Sequence, residues 1–360
     1  MKILIVQDFL RSGGTERQSC LLANAFAREG HPTALLTFRP GGALQNQTTP
    51  AVTRLTLQSR DTGWDWFAPN LVKTARSWQP DIVLCMGRMA NCYGGRLARG
   101  LPHARVVATL RTGKALPWLF RRSLHRVHHV VANSQDSRRR LLDTLSLPPD
   151  HVSVIYNALV FPPSHSAETE LTRQHVRTRY GVSRATPVIL SVGMFRPEKN
   201  QREIIEVLSE LRAVPWTLWL AGDGPMRETC QSLVNEKGLS DRVRFLGFTP
   251  NPSELYVAAD VAVLTSQSES LSNFLIEAHA HGLPSAAYAV TGVQECGGIA
   301  LPPSDRAALA TTLSQLLTDE SARRREASRV LEFAQKTFAP ERQTLAYLTL
   351  FAHLRSAASS

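Results

Sequence analysis

The sequence lacks paired cysteines and a long apolar run, and its first half is poor in acidic residues. Its five cysteines (Cys20, Cys85, Cys92, Cys230 and Cys296) are odd in number, scattered, and contain no C-x-x-C pair. That excludes a disulfide framework or a zinc knuckle and fits a reducing cytosol. No stretch approaches the ~20 apolar residues of a membrane span. The first apolar run, residues 3–6, meets Gln7 and Asp8 too soon for a signal peptide and reads as a buried first strand. A cytoplasmic protein is the expectation. With 43% hydrophobic and 20% charged residues the chain is an ordinary globular one, and only residues 356–360 read as a frayed tail.

Charge is placed unevenly. Residues 1–160 carry 21 Lys/Arg against 9 Asp/Glu, a net +12, whereas residues 161–360 carry 20 against 21, a net −1. The basic half suits an anionic partner, namely lipid headgroups or a phosphorylated acceptor, or else serves solubility alone. Arg138, Arg139 and Arg140 have no interleaved aromatic platform, so nucleic acid is not expected.

Short apolar runs alternate with helical spacers through both halves. Strands are predicted over residues 3–6, 33–38, 82–86, 106–110, 130–132 and 152–155, with helices over 15–28 and 69–78. A Pro/Ser/His stretch at 161–166 reads as a linker. Beyond it, strands are predicted at 188–192, 216–221, 243–246, 261–264 and 285–288, with helices at 201–212, 226–237, 273–281, 306–317 and 329–354, broken at Pro340. This βα alternation predicts two parallel-sheet, Rossmann-like α/β domains, residues 1–160 and 161–340, facing a central cleft, the tail helix 341–355 joining the first. Ligands in such sheets bind at the carboxyl ends of strands, beside helix N-termini.

The candidate motifs fall at those places. Gly13 and Gly14 precede a helix opening at Thr15 and Glu16. They read equally as a tight turn or as a close approach to an anion. Gly193 follows a strand and leads to Arg196 and Lys199, cations suited to a diphosphate. Gly222 opens a Gly-Asp-Gly-Pro turn. In residues 260–298 a strand runs into a polar loop holding Glu269, then an N-cap at Ser272 or Asn273, then a helix carrying Glu277. The amides of Asn273, Phe274 and Leu275 would face an anion, and a carboxylate can accept two hydrogen bonds from a sugar or ribose diol. The segment 116–126 is apolar and then basic: Trp118, Phe120, Arg121 and Arg122 either meet an anionic bilayer or belong to an ordinary helix. His125, His128 and His129 have helical spacing, but their arginine neighbours favour a cationic face, and no metal site is expected.

Taken together, these segments resemble the retaining glycosyltransferases of family 4, with the GT-B fold, a family that includes bacterial lipopolysaccharide, capsule and exopolysaccharide enzymes. The resemblance rests on Gly13 to Glu16, on Asn133 and Ser134, on residues 155–157, on Lys199 and Asn200, on residues 222–225, on the pair Glu269 and Glu277, and on residues 282–284. It implies transfer from a nucleotide-diphosphate sugar, most often UDP-linked, to a glycan or lipid-linked saccharide, with retention and without a metal or other cofactor. It implies that Glu277 binds the donor ribose, Glu269 the transferred sugar, and Lys199 and the amides at 273–275 the diphosphate. Gly13 and Gly14 would lie against donor phosphates and acceptor. Three positions depart from the family pattern. Met194 stands where arginine is frequent, with Arg196 as a substitute charge. Ser270 stands where glycine is usual. Arg111 stands near a frequent histidine, so proton transfer through that histidine is not expected. A catalytically idle GT-B sugar- or lipid-binding module and a sugar-nucleotide epimerase are the alternatives. The surface of the cytoplasmic membrane is the natural place to meet a lipid-linked acceptor.

Overall fold

The computed structural model describes residues 1–11, 13–111, 115–159, 161–162, 167–269 and 271–357. The departure Ser270, most of the linker at 161–166 and the last three residues of the tail lie outside them. The chain divides into two compact units: Met1–Ala158 with Pro340–Ser360, and Leu159–Ala339.

Unit 1 is built on β1 (Ile3–Gln7), α1 (Gly14–Arg28), β2 (Thr33–Thr37), β3 (Val52–Thr56), α2 (Leu71–Trp78), β4 (Ile82–Cys85), α3 (Arg88–Gly100), β5 (Arg105–Leu110), α4 (Trp118–Leu124), β6 (His129–Ala132), α5 (Gln135–Leu145) and β7 (Val152–Val154). All strands are parallel, in the order β3-β2-β1-β4-β5-β6-β7. β1 is central, with Ile3 opposite both Thr33 and Ile82. Its residues Ile3, Leu4, Ile5 and Val6 are fully buried because helices cover both faces of the sheet. Leu4, Val6, Val83 and Val106 face one core, while Ile3, Ile5, Leu84 and Val107 face the other.

That second core is closed by the chain's last helix, α13 by order (Pro340–Ser356). Tyr347 and Phe351 are fully buried there, their rings 6.2 and 5.7 Å from Phe26. Burial on this scale stabilises by about 2–3 kcal/mol per ring. Gln343 donates to Gln18 Oε1 (2.9 Å) and to the Tyr156 carbonyl (2.8 Å).

Unit 2 repeats the scheme with α6 (Ala167–Arg179), β8 (Val188–Val192), α7 (Gln201–Glu210), β9 (Thr217–Ala221), α8 (Arg227–Glu236), β10 (Val243–Gly247), α9 (Ser253–Ala258), β11 (Val261–Leu264), α10 (Asn273–Ala280), β12 (Ser285–Tyr288), β13 (Ile299–Leu301), α11 (Arg306–Thr318) and α12 (Glu320–Phe338). Its six parallel strands run β10-β9-β8-β11-β12-β13. Asp260, just before β11, fastens α6 to the sheet: Arg173 and Arg177 both bind it, and it accepts the Val188 amide at 2.7 Å. Both sheets are therefore doubly covered and parallel, an α/β architecture of two Rossmann-like units.

The sequence reading misses β3, α3, α6, α9 and β13. The histidines depart from it too: His125 ends α4, His128 lies in a loop and His129 is on β6, so they share no helix face. His128 Nδ1 accepts the Val106 amide and His129 pairs with Ser153 Oγ. No cluster of His, Cys, Asp and Glu among the described residues could hold a metal, and no described helix is long and apolar enough to cross a membrane.

Candidate active site

In unit 2 the candidate residues gather at the carboxyl ends of β8, β9 and β11. After β9, Gly222 (φ +137°) comes so close to the β8 loop that a Cβ there would lie 2.0 Å from the Gly193 carbonyl. Any larger residue would force the loops apart. The two stay joined by Gly193 donating to Ala221 (2.9 Å) and Phe195 to Asp223 (3.0 Å). Gly193 and Gly222 thus fix loop spacing.

Past that junction the β8 loop turns through Asn200 into α7 and presents Lys199. Lys199 Nζ donates to Glu269 Oε1 at 2.5 Å, joining residues 70 apart in sequence. Ser266 Oγ donates to the same oxygen at 2.8 Å. The Gln267 amide donates to the Glu198 carbonyl (2.8 Å), and Thr265 Oγ1 to the Asn200 carbonyl (2.8 Å), so the β11 loop is sewn to the β8 loop. Glu269 is nearly buried and Lys199 about three-quarters so, with side-chain exposures of 10% and 26%. With little water to compete, the pair is geometrically fixed, and losing either partner would leave the other uncompensated.

α10 begins directly after this loop. Ser272 is its N-cap and accepts the Leu275 amide at 3.4 Å. Helix geometry gives the Asn273 and Phe274 amides no intrahelical acceptor, and the helix dipole adds partial positive charge there. Asn273 is exposed, while Phe274 and Leu275 have buried side chains and can offer only backbone to a ligand. Glu277 lies one turn further along and accepts from Tyr256 Oη at 2.8 Å. Arg196 points elsewhere: its Nε lies 2.8 Å from Met194 Sδ and its Nη1 3.8 Å from Glu198.

The remaining candidates belong to unit 1. Thr15, Glu16, Arg111 and Phe120 line one pocket of about 420 Å³, at the carboxyl ends of β1, β4 and β5. Gly13 caps α1 and Gly14 starts it. Arg111 binds Asn157 Oδ1 and donates to Tyr347 Oη (2.9 Å), while its buried Nε has no partner among the described residues.

The same pocket holds a residue that the sequence did not single out. Asp8, 7% exposed, directly follows β1 and accepts the amides of Met89 (2.9 Å) and Ala90 (2.6 Å) at the start of α3. Its carboxyl sits against Gly87, where a Cβ would come within 2.4 Å of Oδ1. Burial pushes the Asp8 carboxyl up to about 6, the two amides oppose that, and the Asp65 and Glu16 charges reinforce it. The available signal was position, since a carboxylate at the end of a central parallel strand is where ligands meet such sheets.

Trp118, Arg121 and Arg122 are exposed on α4, Trp118 at 65%, and the Arg122 guanidinium lies 5.1 Å from the Trp118 ring centre. Phe120 departs from the membrane reading: it is 2% exposed and packs in the core with Leu124, because α4 is amphipathic and turns it inward.

Two family models match the chain, that for glycosyltransferase family 4 over residues 12–159 and that for glycosyl transferases group 1 over residues 186–319. The lipopolysaccharide core biosynthesis glycosyltransferase LpsE of Rhizobium meliloti is 34% identical over 171 residues, 46% of this chain and half of its own length. The 2-deoxystreptamine glucosyltransferase of Streptomyces kanamyceticus is 28% identical over 297 residues, 73% of this chain and 77% of that one. Among solved structures, HepE of Anabaena in complex with UDP superposes with a TM-score of 0.77 at 22% identity, over 98% of this chain and all of that one. The family matches to both units and the two-sheet architecture place the chain among the GT-B glycosyltransferases of group 1 and family 4.

Proposed function

We propose that this protein transfers a sugar from a nucleoside-diphosphate sugar, UDP-linked by preference, to a glycan or lipid-linked saccharide, with retention at the anomeric carbon. The observation that carries this is the Lys199–Glu269 pair set before the N-terminus of α10, with Glu277 one turn beyond. A diphosphate arriving there takes over Lys199 and meets the Asn273 and Phe274 amides, which stabilise the leaving charge without a metal. Glu269, released from Lys199 but still bound by Ser266, turns its acceptor oxygens to hydroxyls of the transferred sugar. Glu277, oriented by Tyr256, takes the ribose diol. With no histidine at Arg111, the leaving phosphate itself receives the acceptor proton. The similarity to LpsE supports a role in lipopolysaccharide or related cell-surface polysaccharide assembly on the cytoplasmic side of the membrane.

A thermal-shift screen against UDP, GDP, ADP and their sugars tests the donor site. One nucleotide at about 100 times its Kd should stabilise by about 2.7 kcal/mol, a rise of several degrees that Glu277→Ala abolishes. No shift with any nucleotide would sink the proposal.

Peripheral membrane contact through Trp118, Leu119, Arg121 and Arg122 belongs to the same reading, supported by their exposure and by the basic charge of unit 1. Co-sedimentation with phosphatidylglycerol vesicles, lost in Trp118→Ala, is the expected result. Equal binding to phosphatidylcholine would argue against it.

A further inference from the structure

The loop between β3 and α2 carries an aromatic cluster turned away from the core. Trp64 and Trp66 are each 54% exposed and Phe67 38%. The two indoles stack with centres 5.4 Å apart and planes 12° from parallel, and Phe67 meets both edge-on. Soluble proteins rarely leave such a surface uncovered without a use for it.

The platform is held firmly. Gln58, 4% exposed, donates to the carbonyls of Trp64 (3.0 Å) and Phe67 (2.6 Å) and accepts from Thr62. Tyr93 Oη donates to the Trp66 carbonyl at 2.6 Å. Arg39 grips Asp61 (2.7 and 2.9 Å) and Asp65 (2.8 Å), and Arg11 also binds Asp65 (2.6 Å). Little ordering entropy remains to be lost on binding.

Trp66 and Asp65 also form part of the wall of the 420 Å³ pocket that holds Asp8, Glu16, Arg88 and Arg111. A flat aromatic face therefore adjoins a recess of mixed carboxylates and guanidiniums. The first suits the apolar C–H face of a sugar ring and the second its hydroxyls. Its volume falls within the roughly 300–1,000 Å³ of small-molecule sites. A bilayer is the weaker occupant: the platform's carboxylates, Asp61 and Asp65, are paired with Arg39 and Arg11, which leaves the exposed Arg60 as the loop's one cation for anionic headgroups.

We infer that Trp64 and Trp66 form a saccharide-stacking subsite and that the adjoining pocket takes the hydroxyl-bearing edge of the same acceptor glycan. This rests on the glycosyl-transfer reading for the word acceptor, and on unit 1 geometry alone for the binding of a pyranose. The site commits the acceptor class to a pyranoside with one exposed C–H face.

Saturation-transfer NMR on the full chain, with methyl α-glucoside, methyl α-galactoside, methyl α-mannoside, maltose and lactose as probes, is the test. At least one probe should receive saturation in the wild type. Trp64→Ala with Trp66→Ala should weaken it at least tenfold, Trp64→Tyr with Trp66→Tyr should restore most of it, and Trp118→Ala should leave it intact. The nucleotide-induced thermal shift, read on the same samples, reports unit 2. Saccharide binding without that shift would uphold the platform and overturn the donor reading. A shift with no saccharide transfer, or transfer that survives the double alanine variant, would overturn the platform. Phosphatidylglycerol vesicles shielding the Trp64 and Trp66 indoles, with no saccharide effect, would overturn it in favour of a membrane patch.

Discussion

The two units share a plan and differ in almost everything attached to it. Each has a doubly covered parallel sheet with loops gathered at the carboxyl ends of the strands. Unit 1 carries 23 Lys/Arg against 10 Asp/Glu, a net +13, and unit 2 carries 18 against 20, a net −2. At the strand ends, unit 1 has a mixed-charge pocket with Asp8 and an aromatic rim. Unit 2 has Lys199 held by Glu269 and the capped start of α10. The sheet fixes where a site can be, and the loops decide what chemistry it has. The two halves should therefore fail separately when perturbed.

The largest separation is expected at Lys199 and Glu269. Removing one partner strands the other in a poorly solvated loop and deletes a group aimed at developing charge, an effect on the order of 10²–10³ in rate. Lys199→Ala and Glu269→Gln should each lower kcat by about that factor, while saccharide binding by unit 1 stays within twofold. A variant that loses saccharide binding as well would show that the units are not chemically independent.

Acidification should separate them next. In unit 2, His279 is fully buried, its Nδ1–H donating to the Cys296 carbonyl (2.9 Å) and its Nε2 accepting from Ser285 (2.8 Å). Burial lowers it from 6.5 to about 4. Between those values the unfolded chain binds the proton and the native one does not, so stability falls as pH falls through the window, by about 3 kcal/mol at most. In unit 1, His129 is lowered to about 4 by burial and acts in the same direction. Asp8 acts in the opposite one: raised from 3.8 to about 6, it favours the protonated native state and gains stability as pH falls from 6 to 4. Unit 1 should therefore resist mild acid better than unit 2. Calorimetry at pH 7 and pH 4.5 checks this, and parallel loss in both units would break the comparison.

Asp8 also gives a smaller test within unit 1. At pH 8 its ionised, buried carboxylate costs up to about 3 kcal/mol, reduced by whatever the Met89 and Ala90 amides lose when the partner is neutral. Asp8→Asn should raise the unit 1 Tm at pH 8, and the gain should vanish at pH 4, where the wild-type carboxyl is itself protonated. That gain would mark Asp8, which lines the pocket, as a carboxylate kept at a cost to stability. If Asp8→Asn is neutral or destabilising at pH 8, the carboxylate is serving α3 as a structural cap.

How much of this could be read from the sequence depends on how each feature is encoded. Strands buried on both faces, such as Val188–Val192, interrupted only by Ser191, and the wholly apolar Val261–Leu264, were legible to the residue. Val52–Thr56 was not, because it is an edge strand whose Thr53, Arg54 and Thr56 are exposed. α3 hides behind Gly94 and Gly95, which lower helix propensity but sit where the helix packs on α4, the Gly95 amide donating to Ser123 Oγ. α6 is too polar to show a stripe, since its buried residues are the neighbours Val176 and Arg177, the second paired with Asp260. The cap of α10 was legible from local chemistry as Ser272 or Asn273, and the fold makes it Ser272. The Lys199–Glu269 contact was not legible, since its partners stand 70 residues apart and read as separate candidates, and Asp8 depends on amides 81 and 82 residues away. The aromatic platform was not singled out, because nothing in the local pattern around Trp64 and Trp66 tells an exposed tryptophan from a buried one.

The smallest effect belongs to the helix that carries the chain back into unit 1. Tyr347 does two jobs: its ring fills the core against Phe26 and Phe351, and its hydroxyl accepts from Arg111 Nη2 at 2.9 Å. Tyr347→Phe keeps the first and deletes the second. Because Arg111 is also bound by Asn157, the loss should be that of one hydrogen bond to a charged group, about 1.5–3 kcal/mol at most. The Tm of unit 1 should fall by a few degrees, and unit 2 should not respond. Arg111 lines the pocket, so the same variant should raise KM for the acceptor severalfold while kcat stays near wild type, whereas Tyr347→Ala should open a cavity and destabilise the whole unit by about 3–5 kcal/mol. An unchanged acceptor KM in Tyr347→Phe, with the Tm lowered as expected, would assign the C-terminal helix a purely structural part and leave Arg111 positioned by Asn157 alone.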